Sequence, residues 1–302
     1  MRVPSLLFVS LFLTTACSAG DADIQKNIEE RFPGAKVKTV TASPMAGLHE
    51  VVMDDNQILY ADAKADFIVV GEMLDTKTRK SLTREKQDAF AVRSHQRAIA
   101  AIDSGRMAEE IMPVPVPQRK GEPVLVATDE RPRRDTTMES LAKMKPAFKK
   151  DGTVTAGNAS GINDAAAALI LADAAKAASG GHKPIARLVA YAIAGVPNDV
   201  MGEGPIPATK LALKKGGFTL DQMDVIESNE AFAAQAIAVA RGLELDMKKV
   251  NPNGGAIALG HPIGCSGAFL ATKAVYELHR TGGRYALVTM CIGGGQGIAA
   301  VF

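Results

Sequence analysis

Three stretches set a polar or ionisable residue in glycine-rich sequence beside an apolar run: "SNEAFA" with Asn229, "GGAIALGHPIGCSGA" with His261, and "MCIGGGQG" with Cys291. Loops of this kind, held by regular elements, are where proteins place reactive groups. By type, Cys291 is a nucleophile, a proton carrier, a metal ligand or a small buried side chain, and for a lone cysteine the last is commonest. A reactive thiolate needs an imidazolium or backbone N–H groups near it. "GGGQG" offers N–H groups with no side chains in the way, as an oxyanion site requires. His261 precedes Pro262, which disfavours helical backbone there, so the ring belongs to an extended loop. A lone histidine is ordinarily satisfied by a carbonyl. The flanking glycines, which admit close approach by a ligand or another backbone, tip this one towards function. Cys265, at the head of a helix, reads as packing.

Other chemistries find less support. No C-x-x-C occurs, and His49, His95, His182, His261 and His279 show no ligand spacing with the cysteines, so no metal site is expected. The glycines lack G-x-G-x-x-G spacing after a first strand, which argues against a dinucleotide. At 302 residues, 47% apolar, 23% charged and a net charge of +2, the chain can bury one or two cores. It has no basic stripe to hold nucleic acid.

The elements that must position these residues alternate. Arg2, the apolar stretch "SLLFVSLFLTTA" and "CSAG" read as a signal peptide cut after Ala19. That predicts a periplasmic product with no membrane segment after cleavage; a lipoprotein site at Cys17 is the weaker alternative. Ile24, Ile28 and Phe32 share one face of a helix that Pro33-Gly34 ends. Strands follow over 36–41, 48–53, 57–62 and 66–74, with a hairpin turn at Asp55-Asn56. "TREKQDAFAVRSHQRAIAAIDSG" is a long helix, and a proline-rich connector runs from Ile111 to Asp135. Beyond it come a helix over 161–179, a strand over 186–195, a helix over 206–217, and a strand over 224–228. A helix over 229–242, a strand-loop over 250–264, a helix over 265–283 and strands over 285–292 and 296–302 complete the pattern. Alternating β and α elements predict a layered α/β domain. The helix expected over 161–179 is apolar all round through 165–172 and should be buried on every side there, and the helix expected over 229–242 is nearly all apolar.

Two resemblances emerge from these segments. "DADIQKNIEERFPGAKVKTV" with "AGLHEV" and "ILYAD" resembles the N-terminal dimerisation domain of periplasmic disulfide isomerases of the DsbC type, whose C-x-x-C domain does not follow here. "TREKQDAFA", "TVTAGNASGINDAAAA", "VMGEGPIPATKLAL", "NEAFA", "NPNGGAIALGHPIGCSGA" and "CIGGGQG" together resemble the C-terminal half of thiolases, in order over about 82–302. The expected fold is therefore α/β: a thiolase-like C-terminal layered core with part of its loop domain, preceded by a small α+β domain. The corresponding segments are a signal peptide (1–19), the dimerisation-like domain (20–81), a partial loop domain (82–160) and the thiolase core (161–302).

The thiolase resemblance implies a CoA-thioester acyltransferase, with acyl-CoA and CoA as substrates and no cofactor. It implies that His261 activates a nucleophilic cysteine and helps bind the enolate oxygen, and that Cys291 moves the α-proton. Asn229 would hold a water in one oxyanion hole, and Gly293 would donate an N–H to the other. Ser160, Ala156 and Gly157 would line the pantetheine channel, Arg133 would lie near the CoA nucleotide, and Met201 near the acyl pocket. The family's acyl-accepting cysteine sits in an N-terminal half that has no counterpart in this sequence, so weak or no turnover is expected of the chain alone. The partner expected is a second copy or a complementing thiolase half. The alternatives are a non-catalytic periplasmic dimerising module and a reading frame joining two unrelated genes. The thiolase part, taken by itself, points to the cytoplasm, where CoA is.

Overall fold

A computed structural model describes residues 19–42, 47–53, 58–70, 72–75 and 80–302. Most of the expected signal peptide, Cys17 and the turn at Asp55-Asn56 lie outside them. The chain divides into two units, Met1–Thr83 and Arg84–Phe302.

In the first unit, helix α1 (Ala19–Arg31) buries Ile24 and Ile28, one turn apart, against Val37, Val51, Leu59, Ala61 and Ile68. Those residues come from a six-stranded antiparallel meander. Its strands are β1 (Val37–Ala42), β2 (Leu48–Met53), β3 (Ile58–Asp62), β4 (Phe67–Val70), β5 (Glu72–Asp75) and β6 (Lys80–Ser81), paired in chain order. The single strand expected over 66–74 is two strands, since Val70 pairs antiparallel with Glu72. Apolar character persists through the reversal, so the residue pattern alone reads as one run.

Helix α2 (Leu82–Asp103) opens the second unit. It buries Phe90, Ala91, Ala98 and Ala101, and also the polar Asp88, Ser94 and His95. The proline-rich connector contains a small hairpin of β7 (Val114–Val116) and β8 (Val124–Val126). Short helices α3 (Met138–Ala142) and α4 (Ala174–Ser179) begin at side-chain caps, Thr137 and Asp173. The site-bearing elements follow: β9 (Ala190–Gly195), a 3-10 segment (Asn198–Glu203), α5 (Pro205–Gly216), β10 (Val225–Ser228), α6 (Ala233–Gly242), α7 (Ala256–Leu259), α8 (Ser266–Thr281), β11 (Ala286–Ile292) and β12 (Gln296–Val301).

These strands form one sheet in the order β10-β11-β12-β9, with β10 and β11 parallel and the other pairs antiparallel. One face, with Ala192, Ile226, Leu287, Ala299 and Val301, packs on Ala208, Ala212 and Leu213 of α5 and Val239 of α6. The opposite face presents Val225, Ala286 and Val288 to Leu270, Ala274 and Leu278 of α8. Thus α8 covers the β10 and β11 side of that face. Cross-strand pairing puts Tyr191 opposite Ala300, and Ala300 opposite Val288, so Tyr191 shares the α8 face. So does Ile193, through Ile298 and Met290. Both are more than half exposed.

The helix expected over 161–179 is confined to Ala174–Ser179, and residues 161–173 adopt no regular structure. Helices in proteins are stabilised mainly by packing. A segment apolar on all sides, with nothing to cover it, lacks that stabilisation. Ile162, Ile170 and Leu171 are 97%, 99% and 76% exposed.

Candidate active site at the strand ends

Asn229 is the first residue past β10, and its N–H donates to the Thr289 carbonyl of β11 at 3.0 Å. This puts it at the carboxyl ends of two parallel strands, where open α/β sheets bind ligands. Its loop is braced from behind. Asn251, in the left-handed region at φ 46°, accepts from the Ser228 N–H at 2.9 Å and donates to the Ser228 carbonyl and Glu230 Oε1, both at 2.8 Å. Buried Glu230 accepts from Ser94 Oγ at 2.5 Å and from the Ile257 N–H at 3.3 Å. Burial raises its pKa, while those partners and Arg93 oppose the rise. Gly255 belongs to the same arrangement, since a Cβ there would lie 2.2 Å from the Glu230 carboxyl carbon.

His261 follows α7. Gly260 turns the chain at φ 100°, and any side chain at that position would run into Asn163. The His261 N–H donates to the Gly161 carbonyl at 3.0 Å. Its ring spans two partners: Nδ1 lies 2.6 Å from Ser266 Oγ, and Nε2 lies 3.4 Å from Asn229 Nδ2. Ser266 Oγ also donates to the Pro262 carbonyl at 2.9 Å. A hydroxyl has one proton, so with that proton on Pro262 the serine accepts from Nδ1–H. Nε2 is then the unprotonated nitrogen and receives the Asn229 amide. Burial lowers the His261 pKa, which keeps the ring neutral near pH 7. A neutral imidazole with Nε2 open is equipped to take a proton.

Cys291 lies near the end of β11, on the strand beside Asn229, paired with Gly297 of β12. Its side chain is buried, and burial pushes the thiol pKa up. Among the described residues no hydrogen bond joins it to His261 or Asn229. The turn after it holds Gly294 and Gly295 at φ 87° and 86°, and Gly293 faces open space. Gly297 has to be a glycine, because a Cβ would come within 2.0 Å of the Gly204 backbone. This contact sets the β11–β12 turn against the 3-10 segment that carries Met201.

The remaining expected residues are less tightly gathered. Ser160 is tied to the Asn229 loop, its N–H donating to the Ala231 carbonyl at 3.0 Å. Gly157 packs on α3, where a Cβ would sit 2.4 Å from Leu141 Cδ2; Ala156 is exposed. Exposed Arg133 donates its N–H to His95 Nδ1 at 3.1 Å and makes no hydrogen bond to the His261–Asn229 pair. Cys265, before α8, is half-buried. Sequence reasoning did not find Ser266, Glu230 or Asn251. For Ser266 the signal was available: it follows the histidine by five residues at a helix start.

The sheet order and the residues gathered at its strand ends define a layered α/β unit with a candidate site at the carboxyl ends of β10 and β11. Comparison with known proteins makes this specific. Residues 69–175 match the N-terminal domain of thiolase and residues 182–302 its C-terminal domain. Residues 15–84 match the N-terminal domain of disulfide bond isomerase proteins. Over 218 residues the chain is 58% identical to an acetyl-CoA acetyltransferase of Pseudomonas aeruginosa, covering 72% of this chain and 56% of the relative. It is 56% identical over 222 residues to a beta-ketothiolase of Cupriavidus necator, with 73% and 56% covered. The crystal structure of the Bacillus anthracis acetyl-CoA acetyltransferase superimposes with a TM-score of 0.71 at 48% identity, covering 73% of this chain and 56% of that one. Human mitochondrial 3-ketoacyl-CoA thiolase gives a TM-score of 0.68 at 45% identity, with 73% and 55% covered.

The second unit is thus thiolase-related in both sequence and fold. The chain spans about half the length of the curated relatives it matches. Likeness to the C-terminal half alone is corrected by the match over 69–175, which carries part of the N-terminal domain as well.

Proposed function

We propose that the second unit carries the proton-handling part of a thiolase-type acyl-CoA C-acyltransferase site. The observation that carries this is the His261–Asn229 pair at the strand ends, with Cys291 on the neighbouring strand. The substrates are acyl-CoA and CoA. An α-proton beside a thioester is weakly acidic, so its removal needs a base and a preorganised oxyanion site together. In this reading Cys291 exchanges the α-proton. His261, once Nε2 has taken up a proton, and an Asn229-held water receive the enolate oxygen, and Gly293 donates an N–H. Ser160, Ala156 and Gly157 follow the pantetheine arm, Arg133 the nucleotide, and Met201 the acyl group. The core is assigned to 161–302 and a partial loop domain to 82–160.

The acyl-accepting cysteine is assigned to no residue of this sequence, so the chain alone turns over weakly or not at all. Deuterium incorporation at the methyl of acetyl-CoA in D2O tests the half-site. The wild-type chain is expected to exchange and Cys291→Ser to lose exchange by at least tenfold; equal rates in both would refute the role. Vigorous thiolysis of acetoacetyl-CoA by the purified chain, abolished by Cys291→Ser, would refute the incompleteness.

The match over residues 15–84 favours a second, non-catalytic reading: a periplasmic dimerising module of disulfide-isomerase origin that carries the thiolase part passively. A secreted dimer with no exchange activity would favour it.

A further inference from the structure

We infer that Glu227 and Lys273 are a positioning pair, which sets the contact between Asn229 and His261 through the seating of α8 on β10. The two sides of that contact hang on different elements. Asn229 is the residue after β10, while the His261 ring is held through Nδ1 by Ser266, the first residue of α8. The 3.4 Å between Asn229 Nδ2 and His261 Nε2 is long for a hydrogen bond, so a small movement of α8 against β10 makes or breaks it. Val225 of β10 packs on Leu270, Ala274 and Leu278 of α8. Side chains alternate along a strand, so Glu227, two residues on, faces α8 as well. On α8, Ser266, Leu270, Lys273 and Glu277 are buried along one stripe, at i, i+4, i+7 and i+11. Glu227 and Lys273 therefore stand inside the interface that fixes how α8 lies.

Both are sealed from water, at 0% and 2% exposed. Neither carboxyl oxygen of Glu227 finds a hydrogen-bond partner among the described residues. The Lys273 ammonium is turned to the Phe269 ring, 5.8 Å from its centroid. An acid and a lysine that share an interface without bonding each other have a second arrangement within reach. Once ionised, the carboxylate is drawn towards the ammonium, and little solvent screens the attraction. The charges around the pair have their own partners. Lys273 also attracts Glu110 and Asp129, which flank the β7–β8 hairpin. Glu277 is held by Arg280 and Asn253. Glu230 is held by Ser94, Asn251 and the Ile257 N–H, with Arg93 nearby. Burial keeps Glu227 neutral up to about pH 8, with Glu110, Glu230 and Glu277 adding to the rise and Lys273 opposing it. Above that pH the carboxylate draws Lys273 closer. The helix moves as a unit and carries Ser266 and the His261 ring with it, relative to Asn229.

The test follows the His261 ring nitrogens by NMR in the full chain, without substrate, from below to above the Glu227 pKa of about 8. The wild type should show a step in the Nε2 shift with its midpoint near pH 8. The ring's own titration lies below the ordinary 6.5 and both thiols titrate above 9.0, so neither supplies that step. Glu227→Gln should abolish it. Lys273→Met removes the opposing cation and should move the midpoint up, whereas Glu110→Gln removes a like charge and should move it down. Ser266→Ala uncouples the ring from α8 and should remove the step while the Glu227 carboxyl, followed by carbon NMR, still titrates. The absence of a step in the wild type, or its survival in Glu227→Gln, overturns the proposal. Its loss in Glu110→Gln overturns it too, by assigning the step to Glu110. Survival in Ser266→Ala would make the step a field effect with no movement of α8, and the proposal falls. Should Lys273→Met fail to fold, the isosteric Glu227→Gln still decides. The pair serves the site of the thiolase reading, but no turnover is measured. Absent α-proton exchange would refute that reading alone, and an absent step would refute the positioning alone.

Discussion

Ser266 decides which nitrogen of His261 carries the proton. Its single hydroxyl proton goes to the Pro262 carbonyl, so it accepts from Nδ1–H and leaves Nε2 facing Asn229. Ser266→Ala should remove that acceptor, shift the neutral ring towards the Nε2–H tautomer and cost about 1 kcal/mol of stability. Long-range proton–nitrogen spectra of the imidazole would show the shift; an unchanged tautomer would mean that Asn229 alone sets it. Cys291 changes meaning at this scale too. Alone it was best read as a packed side chain, and it is indeed buried. Its position one strand from Asn229 makes it a candidate acid/base, and its raised pKa makes it a thiol, not a thiolate, in the free unit.

Strand β10 concentrates unusual chemistry in successive residues. Glu227 is fully buried, both its carboxyl oxygens lack a hydrogen-bond partner among the described residues, and burial pushes its pKa up to about 8 against an opposing effect of Lys273. Next come Ser228, held by Asn251, then Asn229 and Glu230. A folded-state pKa above the unfolded value means that folding binds the proton more tightly. The Glu227 contribution to stability is therefore complete below the unfolded value of 4.5 and is lost as pH rises towards about 8. Glu227→Gln removes this dependence. Its melting temperature should exceed that of the wild type by an increasing margin from pH 5 to pH 8, and a constant margin would show Glu227 to be ionised when folded. The element also shows what the local pattern hides. "DVIES" reads as a buried strand, but nothing in its five residues says that its glutamate meets no partner.

The second unit, taken whole, leaves apolar surface of two kinds uncovered, an extended segment and half a sheet face. Exposed contiguous apolar surface drives association. The purified chain should therefore bind a hydrophobic dye such as ANS under native conditions. Replacing Ile170 and Leu171 by aspartate should reduce that binding and the chain's aggregation without lowering the melting temperature. A drop of several degrees would mean that the stretch is packed. Much of this molecule was legible in its residues. Periodicity located α1, α2, α5, α8 and the strands β1–β3 and β9–β12, because those elements bury a stripe or a face against neighbours within the same chain. The glycine-rich loops of Asn229, His261 and Cys291 were legible too, because glycines at close backbone approaches and tight turns leave a mark in the sequence. The stretch over 161–173 was misread as helix, since an apolar run announces burial without saying what buries it. Only the tertiary structure showed that His261 bridges Asn229 and Ser266, that Glu227 finds no hydrogen-bond partner among the described residues, and that the α8 face is half bare. Each depends on which side chains from distant segments meet in space, and local pattern carries no record of such meetings.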